Sequence, residues 1–142
     1  VESALRGFML SENRTVFTVQ DEIKPFEGEN DFYWFWHTLA DITVNENSRS
    51  VSLARNGVVC KIYFDSNVDF TITKQDVLTS LPGSPVVEGQ NQMPHAAKMH
   101  KIVVNFQSSG EPIIFRATAV PFGKNIDRDT LAPISEWTIP NP

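Results

Sequence analysis

Cysteine is almost missing from this sequence. Cys60 stands alone in 142 residues, so no disulfide can close within the chain, and the redox compartment is left open. Long apolar runs are missing too, and none approaches the roughly 20 residues that a bilayer-crossing helix needs. Positive charge is in short supply: twelve Lys and Arg against seventeen Asp and Glu leave a net charge of −5. Nucleic acid and anionic membrane surfaces are recruited by clustered cations, so neither is expected as a partner. No segment carries a sustained apolar stripe at helical spacing, and no internal repeat, G-x-S-x-G, P-loop or dinucleotide-binding fingerprint occurs. The chain begins at Val1 without a charged and apolar leader, which reads as a processed protein or a piece of a longer one.

What remains is the composition of a single folded domain, 1–142, with 41% hydrophobic residues and a dominant period of two. Ala4–Leu10 and Thr15–Gln20 are strand-like, with Ser11–Arg14 as the loop between them. Ser50–Ala54 and Val58–Phe64 flank Asn56-Gly57, the residue pair that best tolerates the positive φ of a type I′ hairpin turn. Further strands are expected at Phe32–Thr38, Asp41–Val44, Val68–Ile72, Lys101–Phe106 and Pro112–Val120, with Ser108–Glu111 as a loop. Strands joined by short turns without helices predict an all-β fold, an antiparallel β-sandwich or stacked antiparallel sheets. Pro and Gly concentrate in 73–100, which predicts a long surface loop, and 121–142 predicts an irregular tail pinned to the body by Trp137.

The candidate functional residues are few. In Asp31–Thr38, Phe32, Trp34 and Trp36 share one face of a strand, and Tyr33, Phe35 and His37 share the other. Two aromatic faces predict a central strand packed on both sides, or one side covered by another domain. Trp34 and Trp36 are alternatively a stacking platform for sugar. His37 is expected to satisfy a backbone group in a polar pocket. His37, His95 and His100 are the only imidazoles, and their spacing gives no metal-ligand signature, so no metal or cofactor is expected in this chain. Asp21, Glu22, Glu27, Glu29 and Asp31 read as a solvated acidic patch. Adjacent Asp21 and Glu22 on a strand face opposite ways and cannot act as a carboxylate pair. Cys60 reads as a small buried hydrophobe. No catalytic residue is identified.

The strand ending Val19-Gln20-Asp21-Glu22-Ile23, then Trp34-Phe35-Trp36-His37-Thr38, the Asn56-Gly57 hairpin, Leu81-Pro82-Gly83-Ser84-Pro85 and Glu88-Gly89-Gln90 follow one another in order. This series resembles the C-terminal β-domain of heparinase II/III-like polysaccharide lyases, over about Thr15 to Val120. The resemblance implies a bacterial, periplasmic or extracellular enzyme that cleaves uronic-acid polysaccharide by β-elimination. It implies an α/α-toroid domain preceding this segment as partner, with catalytic Asn, His and Tyr residues and a His-x-His metal motif lying outside the matched part. This chain would then be the non-catalytic domain that supports the cleft and touches acidic polysaccharide. Arg49, Arg55, Lys98 and Lys101 are the candidate cations for such a contact, against an unfavourable net charge. A stand-alone carbohydrate-binding module built on Trp34 and Trp36 is the alternative.

Overall fold

The computed structural model describes residues 1–77, 99–121, 124, 126, 128 and 130–138. Among these residues nine strands run in chain order: β1 (Ser3–Ser11), β2 (Val16–Lys24), β3 (Asn30–Thr38), β4 (Asp41–Asn45), β5 (Ser50–Arg55), β6 (Val58–Ser66), β7 (Phe70–Asp76), β8 (His100–Ser108) and β9 (Ile113–Pro121). They form a six-stranded sheet in the order β1-β2-β9-β6-β5-β4 and a three-stranded sheet in the order β3-β8-β7, every pairing antiparallel. The all-β sandwich expected from the period of two is the fold observed.

Alternation decides which side chains meet between the sheets. The large sheet contributes Ile42, Val51, Leu53, Ile62, Phe64, Ile113, Phe115 and Ala117, and the small sheet Trp34, Ile72, Ile102, Val104 and Phe106. Phe115 stands at the centre. Its ring lies 5.3 Å from those of Trp34 and Phe106, 5.9 Å from Phe64 and 6.1 Å from Phe70. Stacked and edge-on contacts of this kind add to the burial of the rings themselves.

The Asn56-Gly57 hairpin forms as expected, with φ of 51° and 77° at its two turn residues. The seventh strand begins at Phe70 instead of Val68 and continues to Asp76, so the long connection does not start at Thr73. The later start has a local cause: the Ser66 hydroxyl accepts the Val68 N–H, while the Asn67 side chain donates to Pro112 O and accepts from Ile114 N. Those bonds commit residues 66–68 to a turn. The Leu81–Pro85 and Glu88–Gln90 motifs lie outside the described residues.

A third layer covers the outer face of the large sheet. Arg116 donates to the carbonyls of Thr130 and Arg128, and Gln20 Nε2 donates to Ala132 O. Glu22 accepts the Ile134 N–H. Arg128 pairs with Asp65 and sits over the Tyr63 ring. Trp137 pins the tail as expected, lying over Gly7: a Cβ built on that glycine would come 3.0 Å from the Trp137 ring. Val16, Thr18, Gln20 and Val120 are buried beneath this layer. Asp21 belongs to the interior and not to a solvated patch, because Arg6 reaches across from β1 and binds both its carboxylate oxygens.

Phe115→Ala is expected to lower the free energy of unfolding by about 3–5 kcal/mol, read by urea denaturation. Gly7→Ala is expected to cost about 1–3 kcal/mol through its clash with Trp137. In a Trp137→Ala background the same substitution should cost less, the remainder coming from Ile134 at 3.1 Å from the added Cβ, a non-additivity that a double-mutant cycle measures directly.

Candidate functional site

The strand with two aromatic faces turns out to be an edge, not a centre. Among the described residues the third strand has β8 as its single neighbour. Its inner row, Phe32, Trp34 and Trp36, packs into the core. Trp34 is 7% exposed, and its ring is taken up by Trp36, Phe64 and Phe115. It presents no open face to a sugar. Trp36 is half-buried and meets Phe17 edge-on.

The outer row is what the small sheet shows to its surroundings. Register places Tyr33 opposite Asn105, Phe35 opposite Val103 and His37 opposite Lys101. On the far side of β8, Thr71, Thr73 and Gln75 complete the rows. Tyr33 and Phe35 lie nearly parallel, 6° apart with centroids at 6.4 Å, and Phe35 is 40% exposed. The His37 ring follows at 6.3 Å. Lys101 Nζ sits 5.6 Å from the centroid of Phe35, a cation–π placement. Gln75 Oε1 is buried without a hydrogen-bond partner among the described residues. Lys101 and Val103, on the same face, are buried, so Lys101 is not available as the contact cation expected from the sequence, and the exposed part of this face is the aromatic row of Phe35 and His37.

The imidazoles are not brought together. His37 is exposed and makes no hydrogen bond among the described residues, so the polar pocket expected around it is absent there. His100 lies opposite Thr38, one position out of phase with His37, and therefore serves the other face of the sheet. Its Nδ1 meets Asp76 at 3.3 Å. His95 lies outside the described residues. Among the described residues no three His, Cys, Asp or Glu side chains converge as a metal site.

The candidate cations are equally dispersed. Arg49 lies at one end of the sandwich, over the Phe70 ring and 3.6 Å from Asp69. Arg55 borders the Asn56-Gly57 turn, and Lys98 lies outside the described residues. An open cleft of about 860 Å³ beside Arg49 also includes Asn67, Asn105 and Gln107. Those amides are already engaged, with Pro112 O and Ile114 N, with Phe32 O and with Asp31 respectively. Sequence reasoning missed the Tyr33–Phe35 ridge as the exposed row. Alternation defines two faces without telling which one a second sheet will cover.

Cys60 is half-buried at the rim of the core, a lesser burial than expected. Burial raises its thiol pKa, and a hydrogen bond with the Val120 backbone opposes that rise. The thiolate is thus postponed to higher pH in the folded protein. Iodoacetamide should alkylate Cys60 more slowly in the native chain than in urea, with the difference closing as pH rises; faster native labelling would mark a reactive thiol instead.

Among the described residues no helix is long and apolar enough to cross a membrane. No protein-family model matches this chain, and no curated protein matches it.

Proposed function

We propose that this chain is the non-catalytic C-terminal β-domain of a bacterial heparinase II/III-like polysaccharide lyase, working in the periplasm or outside the cell. In that role it braces the catalytic cleft, beside an α/α-toroid domain, while the toroid supplies the base for β-elimination of uronic-acid polymer.

The observation that carries this reading is how the two motif strands spend their residues. In Val19-Gln20-Asp21-Glu22-Ile23, Gln20 and Glu22 hold the tail, Asp21 holds Arg6, and Ile23 packs against the core. In Trp34-Phe35-Trp36-His37-Thr38, the two indoles enter the core and Phe35 and His37 face outward. Each polar or aromatic group of the motifs has a structural partner or an outward position, which favours a scaffold over a reaction centre. The ridge of Tyr33, Phe35 and His37 is the surface this reading assigns to the toroid or to the polysaccharide.

The parallel stack of Tyr33 on Phe35 also favours a second reading, a carbohydrate-binding module, with Phe35 taking the place of the buried Trp34 as the stacking group.

Two measurements test these readings. The pure chain should release no unsaturated product, followed by ultraviolet absorbance, from alginate, heparin or related polymers; sustained turnover would falsify the non-catalytic assignment. Titration with oligouronates by NMR separates the two roles. Saturable shifts along the Tyr33–His37 row, lost in Phe35→Ala with the fold intact, identify a binding module. Their absence, together with an upstream reading frame that encodes a long helical region and a His-x-His strand, identifies the lyase domain.

A further inference from the structure

Among the described residues the two sheets have four free edges, and three of them are guarded. The edge strand β3 carries Asp31, β7 carries Lys74 and Asp76, and β4 is only five residues long and opens with Asp41. Charges and short length are the usual protection against edge-to-edge pairing. The first strand has no carboxylate and no short length to protect it. It runs nine residues without Pro, Lys or a carboxylate, and its one charge, Arg6, is matched by Asp21 within the chain.

Large apolar side chains lie uncovered on both of its faces, although on the outer face Gly7 is buried beneath Trp137 and Met9 is half-buried. Leu5 is 53% exposed on the outer face, and Phe8 and Leu10 are 64% and 54% exposed on the inner face. The inner residues are bare because the large sheet has twice as many strands as the small one. Phe8 rests on Phe17, and Phe17 on Trp36, so the exposed ring continues the aromatic cluster at the rim of the sandwich.

The residue order in this strand is self-complementary about Gly7. A two-fold axis perpendicular to the sheet keeps each face on its own side and pairs residues whose numbers sum to 14. Ser3 then meets Ser11, Ala4 meets Leu10, Leu5 meets Met9, and Arg6 meets Phe8, with Gly7 opposite itself. Each cross-pair is hydroxyl with hydroxyl, apolar with apolar, or cation with aromatic. Shifting the centre to Arg6 would instead set two guanidinium groups against each other.

We propose that β1 is a homodimerisation edge, at which a second copy of this chain pairs antiparallel with Gly7 opposite Gly7. The product is a continuous twelve-stranded sheet. The two copies of Phe8 and Leu10 line a single trough beside the paired small sheets. The other three edges are protected, so the assembly stops at two. One pair of strands buries less than the roughly 1,200 Å² of a standard interface, so the association is reversible and concentration-dependent. This inference does not depend on the lyase reading.

Sedimentation equilibrium over a concentration series should give a mass rising from the 16.0 kDa monomer toward twice that value. Phe8→Lys should hold the chain monomeric with an unchanged near-ultraviolet spectrum, whereas Val58→Lys, on an exposed hairpin elsewhere, should leave the dimer intact. Cysteine cross-linking reads the register without depending on that variant. In a Cys60→Ala background, Ala4→Cys with Leu10→Cys should form a reducible dimer under oxidation, because opposed residues lie within disulfide reach. Neither single cysteine variant should do so. A monomer at all concentrations, a dimer indifferent to Phe8→Lys, growth beyond two copies, or equal cross-linking by the single variants would each overturn the proposal.

Discussion

One ring ties the two sheets together. Phe115 belongs to β9, the strand that lies between β2 and β6 in the large sheet, and it touches aromatic side chains of β3, β6, β7 and β8. Burial of a side chain this size is worth a few kcal/mol, a large fraction of a small domain's net stability. The positions of Trp34 and Phe106 are set by the same contact. The face that β3 turns away from the core is set with them.

Unequal sheet size is the second constraint. Three strands cannot cover six, so part of the large sheet must find other cover or stay open. On its outer face the tail provides cover: Arg116, Gln20 and Glu22 satisfy backbone carbonyls and one N–H of that segment, and Arg128 of the tail donates back to Phe64 O and Asp65. On its inner face nothing comparable reaches Phe8 and Leu10 among the described residues, and they remain exposed. The mismatch thus explains the bare apolar side chains on the inner face, and the tail explains the buried polar ones on the outer face.

Much of this was legible in the residues. Asn56-Gly57 announces its hairpin because few other pairs accept two successive positive φ values. The alternation through Phe32–His37 sorts the side chains into the two rows that the structure has, yet it is silent about which row is covered and about neighbours, so an edge strand reads like a central one. Asp21, Gln20 and Glu22 look like solvated polar residues because their partners, Arg6, Ala132 and Ile134, are distant in sequence or sit on another strand. Asn67 delays β7 through bonds to Pro112 and Ile114, which local propensity does not report. The candidate site suffers most from this. Which face of an aromatic strand stays open depends on the extent of the opposite sheet.

The place of β9 has a consequence for biosynthesis. The β1–β2 hairpin and the β4–β5–β6 meander are local in sequence, but they share no neighbour until residues 113–121 slot between them. A ribosome delivering this chain from its amino end must release eight strands before the one that unites them. During that interval the halves of the large sheet stand apart with apolar faces bare, the circumstance in which nascent chains depend on chaperones.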